Sequence, residues 1–313
     1  MDILGLLLQV LLLAIGFTLL IKGADWFVDG SSSVAARFGI PQLVIGLTIV
    51  AMGTSAPEAA VSITAAFSGN ADISVGNVVG SNILNILIIL GLSSVIVPIA
   101  VAKSTIKYEI PFMIVITGVL ILLGNDGKIG LADAIILIAL FIAYLTYLFI
   151  MAKKNKEEQP EEGTKQLSLP KAIIFVILGL AMIILGSNVT VDAASAIAAM
   201  FGMDERFIGL TVVALGTSLP ELFTSVSAAR KGNADIAIGN IVGSNIFNIL
   251  FILGLSALII PITFAESFVF DVIIAIAAAV MLLLCSIFGK NMLKRWAGVL
   301  MLISYAAYFA VII

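Results

Sequence analysis

Two glutamates, Glu58 and Glu221, stand in AMGTSAPEAA and ALGTSLPELF, inside stretches otherwise apolar enough to cross a bilayer. Each follows a glycine, a threonine, a serine and a proline, so the polar groups nearby are carbonyl, hydroxyl and carboxylate oxygens, the set that hard cations prefer. Proline has no N–H and clashes with the carbonyl four residues back. Pro57 should therefore free the carbonyl of Gly53, and Pro220 that of Gly216, breaking both helices at these points. A carboxylate near the membrane centre costs at least a few kcal/mol, and two facing each other at about 6 Å would repel by roughly 3 kcal/mol at an effective dielectric of 20. The pair needs cations or protons. Thr54, Ser55, Thr217 and Ser218 add oxygens beside it. The plainer reading, a protonated glutamate bonded to a neighbouring helix, does not explain why the arrangement occurs twice.

A second group of polar residues lies a short distance downstream of each glutamate: Asn77, Ser81, Asn82 and Asn85, then Asn240, Ser244, Asn245 and Asn248. Ser81 and Asn85 are four apart and share a helical face, as do Ser244 and Asn248. If that face meets the broken helix, hydroxyl and amide oxygens complete an oxygen shell. Close packing and bonds between helices are the competing role for small polar residues in a membrane. For Asn77, Asn82, Asn240 and Asn245 the two roles stay open; Ser81, Asn85, Ser244 and Asn248 are expected to face the cation. Asp25, Asp29, Glu109, Asp133, Asp192 and Asp271 fall near span ends, where hydration is available, and packing or interfacial roles are expected for them.

These residues need membrane helices to position them. Of 313 residues 61% are hydrophobic and 11% charged, which no water-soluble core explains. Apolar stretches of about 20 residues, the length that crosses roughly 30 Å of hydrocarbon, recur throughout. Ten spans are expected, starting near Ile3, Pro41, Ile73, Thr105, Leu131, Pro170, Arg206, Ile236, Phe268 and Leu293. The first has neither a basic region before it nor a small-residue cleavage site after it, and is read as a retained span. The single cysteine, Cys285, excludes an internal disulfide, and the absence of histidine argues against zinc, haem and the usual proton relay. A net charge of -3 with scattered basic residues gives no nucleic-acid surface.

The chain repeats itself. At an offset of 163, GTSAPE at 53-58 falls on GTSLPE at 216-221, and GNVVGSNILNILIILG at 76-91 falls on GNIVGSNIFNILFILG at 239-254, identical at thirteen of sixteen positions. Gly23 with Gly186, Asp29 with Asp192, Phe38-Gly39 with Phe201-Gly202 and Pro98 with Pro261 keep the same offset. Residues 1-151 and 170-313 are thus expected to be five-helix repeats, joined by a polar linker over 152-169, a solvated loop too short to fold as a domain. An odd number of spans per repeat inverts the second half. With the N-terminus outside, inner loops collect thirteen Lys and Arg residues and outer loops only Lys128 and Arg206, which supports both termini outside and the linker in the cytoplasm. The expected fold is an all-α integral membrane protein of ten transmembrane helices in two inverted five-helix repeats, with helices 2 and 7 broken, in the cell membrane.

The paired GTS-x-PE and GN-x-VGSN-I-x-N motifs in inverted halves resemble the alpha repeats of sodium/calcium exchangers, within the calcium:cation antiporter superfamily, over essentially the whole chain. The resemblance implies an antiporter, not an enzyme, that exchanges calcium for sodium by alternating access and needs no cofactor. Its implied partners are calcium and sodium ions and the lipid bilayer, with no obligatory protein partner. By motif, the calcium site resembles Glu58 and Glu221 with the backbone oxygens of Thr54 and Thr217. The sodium sites resemble Ala51, Ser55 and Ser81 on one side and Ala214, Ser218 and Ser244 on the other, sharing the glutamates. Asn85 and Asn248 would hold the middle position. Potassium-dependent exchangers and some prokaryotic relatives carry aspartate where this chain has Asn248, and the neutral residue resembles the potassium-independent type. The short linker departs from animal exchangers, whose long loop carries regulatory calcium-binding domains.

Two alternatives stay open. Buried glutamates could exchange protons instead of sodium, making a calcium/proton antiporter of the same superfamily, although the serine-rich flanks favour sodium. A cation channel could use the same oxygens, although inverted repeats with broken helices point to alternating access. An intramembrane protease is disfavoured, because no histidine is present and the paired acids lack a water-activating partner.

Overall fold

The computed structural model describes residues 3–154, 167–203 and 214–312. The linker from 155 to 166, and the residues around Arg206 where the seventh span is expected to start, lie outside them. Helix α1 (Ile3–Phe38) is followed by α2 (Gln42–Thr54) and α3 (Ala56–Phe67), then α4 (Ile73–Ile96), α5 (Thr105–Asp126) and α6 (Leu131–Lys154). The second half contributes α7 (Leu169–Met200), α8 (Ala214–Thr217), α9 (Leu219–Arg230), α10 (Ala234–Ile259), α11 (Glu266–Phe288) and α12 (Arg295–Ile312). Among the described residues seven helices are long and apolar enough to cross a membrane, and α2 with α3 forms an eighth such span bent by 50°. The chain is a multi-pass helical membrane protein.

The helical expectation needs one refinement. Four two-residue strands pair antiparallel, Ile99–Ala100 (β1) with Met292–Leu293 (β4) and Lys128–Ile129 (β2) with Ile262–Thr263 (β3). Each pair ties a first-half turn to a second-half turn and satisfies backbone groups where helices end.

Buried and exposed faces follow the membrane. Helices α4 and α10 are the most enclosed, with 72% and 83% of their apolar windows buried, whereas α1 exposes Leu4, Leu7, Leu8 and Leu11. The former carry the duplicated Asn and Ser residues, so the polar motif lies at the centre of the bundle. A helix of 36 residues extends for about 54 Å, far beyond the hydrocarbon thickness, so α1 must tilt or project. Its long partner α7 lies against it along a glycine seam. A Cβ on Gly23 would stand 2.9 Å from the Gly179 carbonyl, one on Gly179 2.6 Å from the Phe27 nitrogen, and one on Gly186 2.9 Å from the Gly16 carbonyl. Backbones touch because no side chain intervenes.

Most acids near span ends have local work, as expected. Lys231 Nζ donates to Asp29 Oδ1 at 2.6 Å and to the Asp25 carbonyl at 2.8 Å, while Ser227 Oγ donates to Asp25 Oδ1 at 2.7 Å, fastening α1 to the end of α9. Asp133 accepts from the Gly130 N–H at the start of α6, and Asp271 accepts from Tyr308. Glu109 departs from the expectation of hydration. It is 1% exposed, because the π-helical turn Thr105–Glu109 turns it inward between α5 and α6.

Candidate cation site

The break between α2 and α3 falls at Ser55, whose φ of -81° and ψ of 10° lie in the bridge region. Ser218 takes the same conformation between α8 and α9, at φ -89° and ψ 2°. Pro57 and Pro220 occupy the first turn of the helix that resumes, where a missing N–H costs nothing. Glu58 and Glu221 are in those same first turns, so the helix N-terminal dipole favours their negative charge. Each is 1% exposed. The freed Gly216 carbonyl does not stay free, since Ser187 Oγ of α7 donates to it at 2.6 Å.

Each carboxylate is met by hydroxyls of the other half. Ser55 Oγ donates to Glu221 Oε1 at 2.8 Å, and Ser218 Oγ lies 3.5 Å from Glu58 Oε1. The Thr217 hydroxyl also approaches Glu58, and those of Thr54 and Ser244 approach Glu221. The two carboxylates are close enough to interact electrostatically. Ser244 Oγ donates to the Ala51 carbonyl at 3.3 Å, bringing α10 onto the last turn of α2. Ser81 is buried on α4. Ala214 opens α8, and its side chain lies outside the described residues.

Asn85 and Asn248 begin π-helical turns, Asn85–Leu90 and Asn248–Leu253. Such turns rotate a side chain away from the regular helical row and recur at functional sites. Asn85 Nδ2 donates to Asn245 Oδ1 at 2.9 Å, and Asn248 Nδ2 donates to Asn82 Oδ1 at 3.0 Å. Both amide groups are thereby oriented, and the oxygens Asn85 Oδ1 and Asn248 Oδ1 are left buried without a partner. Glu58 Oε2 and Glu221 Oε2 are in the same condition. Four acceptors, matched in pairs across the halves, thus lack donors.

The four residues whose roles stayed open make bonds between helices. Asn77 Nδ2 donates to the Glu58 carbonyl at 3.1 Å and to Ser62 Oγ at 2.9 Å; Asn240 Nδ2 does the same to the Glu221 carbonyl at 3.3 Å and Ser225 Oγ at 2.9 Å. Asn240 Oδ1 also accepts from Thr54 Oγ1 at 2.9 Å. These two asparagines hold the turns that carry the glutamates. Ser62 and Ser225 obey the 163 offset, which could have singled them out, but Ser187 has Ala24 at the matching position and left no such signal.

A buried all-oxygen set in which two of the oxygens belong to carboxylates can hold a hard cation or, on those carboxylates, protons. Comparison with known proteins agrees with that chemistry. The family described as sodium/calcium exchanger protein matches the chain twice, over residues 8–150 and 171–313. A putative antiporter, CaxA of Alkalimonas amylolytica, is 40% identical, with 97% of this chain and 98% of the relative covered. The sodium/calcium exchanger MaX1 of Methanosarcina acetivorans is 33% identical over 96% of this chain and 97% of its own length. A solved structure of the sodium-calcium exchanger NCX_Mj, soaked with sodium, superposes with a TM-score of 0.84 at 34% identity, covering 97% and 99% of the two chains. Since the match spans both copies of the motif and the surrounding helices, the chain belongs to the sodium/calcium exchanger family of membrane cation antiporters.

Proposed function

We propose that this protein exchanges calcium for sodium, binding both at the duplicated oxygen cluster and exposing it to each side of the membrane in turn. One observation carries the reading: Glu58 Oε2, Glu221 Oε2, Asn85 Oδ1 and Asn248 Oδ1 are buried without donors, a cost of about 1–3 kcal/mol for each neutral group that a bound cation would offset. Two carboxylates match the charge of one calcium ion or two sodium ions. Calcium would take Glu58 and Glu221 with the backbone oxygens of Thr54 and Thr217. Sodium would use Ala51, Ser55 and Ser81, or Ala214, Ser218 and Ser244, with the same glutamates, so the ions compete. Asn85 and Asn248 line the middle position. The similarity to the sodium/calcium exchangers MaX1 and NCX_Mj supports this choice of ions.

The architecture that goes with it is ten spans in two inverted five-helix repeats, 1-151 and 170-313, with α2/α3 and α8/α9 as the broken second and seventh helices. The 50° bend at Ser55, its counterpart in conformation at Ser218 and the twofold family match support that arrangement. The thirteen basic residues of the inner loops support external termini and a cytoplasmic linker at 152-169.

The test is calcium uptake into proteoliposomes under separately imposed sodium, potassium and proton gradients. Uptake driven by an outward sodium gradient is expected. Uptake driven only by a proton gradient would replace sodium by protons, which could equally occupy the partnerless carboxylate oxygens. Non-saturable flux without counter-ion would replace the antiporter by a channel.

A further inference from the structure

The two ends of the bundle carry matched sets of polar residues, and only one set is joined. At the end assigned above to the cytoplasm, Ser227 Oγ donates to Asp25 Oδ1 at 2.7 Å and Asn233 Nδ2 donates to Ser32 Oγ at 3.0 Å. Between them Lys231 Nζ donates to Asp29 Oδ1 at 2.6 Å and stands 3.5 Å from Asp25 Oδ1. These contacts zip α1 to the end of α9 and to the turn that follows it. The offset of 163 carries Asp25, Asp29 and Ser32 onto Asn188, Asp192 and Ser195 of α7, and carries Ser227, Lys231 and Asn233 back onto Thr64, Ser68 and Asn70 at the outer end of α3. Among the described residues no hydrogen bond or ion pair joins these outer side chains: Asn188, Asp192, Thr64, Ser68 and Asn70 are exposed, and Ser195 Oγ is buried without a partner.

Burial follows the bonds. Glu58, Val61 and Thr64 make one row along α3 from the cation cluster to the outer end, and Glu221, Thr224 and Ser227 make the matching row along α9 to the inner end. Val61 is 41% exposed, whereas its counterpart Thr224 is 0% and Ser227 9% exposed. The outer row is uncovered as far as Val61, and the inner row is shut at Ser227 and Thr224.

The two closures cannot be equal. An inverted repeat that turns its cluster to the other face closes the outer end with the counterpart residues. That end has serine in place of Lys231 and asparagine in place of Asp25, so it can form hydroxyl and amide bonds but no ion pair. We propose that Lys231 is a one-sided latch: its bridge between Asp25 and Asp29 holds the inner end shut, gives the ion-free protein a resting preference for facing outward, and breaks each time the cluster turns to the cytoplasm. The latch rests on the topology and alternating exposure proposed above. Its side chains, Lys231, Asp25 and Asp29, are 28%, 38% and 46% exposed, and an exposed ion pair is a weak bond that salt screens. That weakness suits a contact opened in every cycle.

The experiment reads the cover over Thr224 in the full chain, without calcium or sodium, so its outcome is independent of the exchange itself. Thr224→Cys is labelled by a membrane-impermeant maleimide added to the inner face of inside-out vesicles, and the rate reports the inward-facing fraction; the buried native Cys285 sets the background. Adding Lys231→Met or Asp29→Asn is expected to raise that rate roughly two- to fivefold, the worth of an exposed pair read in a minor population. The charge reversal Asp29→Lys with Lys231→Asp should return it to the parent rate. Raising N-methylglucamine chloride from about 0.01 M to about 1 M, which shortens the Debye length from about 30 Å to about 3 Å, should speed labelling in the parent but not in Lys231→Met. Unchanged rates in both single variants overturn the latch, as does an increase that the charge reversal does not abolish and salt does not reproduce, the signature of loosened packing. Labelling of Thr224→Cys from the outer face of right-side-out vesicles would overturn its sidedness.

Discussion

Asn82 and Asn245 exchange amide bonds, each Nδ2 donating to the other's backbone carbonyl at 3.1 Å. The same pair presents its side-chain oxygens to Asn248 and Asn85, so four amides from two helices form one closed set. The set explains how Asn85 and Asn248 keep an oxygen free. Their N–H groups are already committed.

Asn248→Asp disturbs this set in a readable way. The substitution removes the donor to Asn82 Oδ1 and adds a third carboxylate to the proposed site. That carboxylate must take up a proton or a further cation. Sodium-driven calcium flux across a pH series, with and without potassium, should show continued exchange, steeper pH dependence and a new response to potassium. Identical profiles for parent and variant would remove Asn248 from the cation site.

Glu58→Gln and Glu221→Gln should each abolish calcium transport in proteoliposomes, because a divalent ion in a low-dielectric site loses half its compensating charge. Thermal unfolding should change much less, since a glutamine side chain keeps an acceptor for Ser55 or Ser218. Uptake at the parent rate in either variant would remove the shared site.

Sodium added on the calcium side should raise the apparent KM for calcium without lowering the maximal rate. Ser55→Ala should weaken that competition several-fold, since it takes away an oxygen 2.8 Å from Glu221 that sodium is expected to share. Saturating sodium that leaves calcium affinity unchanged would argue for separate sites.

Gly179→Ala should lower the unfolding midpoint in detergent by several degrees. Its methyl would meet the Phe27 nitrogen at 2.6 Å and the Gly23 carbonyl at 2.8 Å, and overpacking of this kind costs about 1–3 kcal/mol. Gly118→Ala, where a Cβ meets no atom within 4 Å, is the matched control and should be neutral or slightly stabilising.

The helices were largely legible because hydrophobic runs of span length leave little choice of secondary structure, and the bend at Ser55 was legible because Pro57 follows it. The direction of each asparagine was not. Asn77 and Asn85 both lie in one small-residue helix, and what separates them is the neighbour each meets: Asn77 grips the Glu58 carbonyl, whereas Asn85 commits its amide to Asn245 and frees its oxygen. The bond from Ser187 to the Gly216 carbonyl was equally hidden, since it joins helices 29 residues apart with no copy in the first half. Glu109 misled because depth along a helix does not reveal which way a side chain turns.

The hydroxyls that meet Glu58 come from Thr217 and Ser218, the latter 160 positions later in the chain. At a synthesis rate of about 5–20 residues per second, the first broken helix waits some 8–30 s in the membrane before the groups that surround its carboxylate exist. During that interval Glu58 has only water, a proton or lipid headgroups to turn to. Translation speed between the two motifs is therefore a variable of biogenesis for this protein, and a ribosome stalled after α6 would hold an assembly with half of the oxygen cluster open to the bilayer.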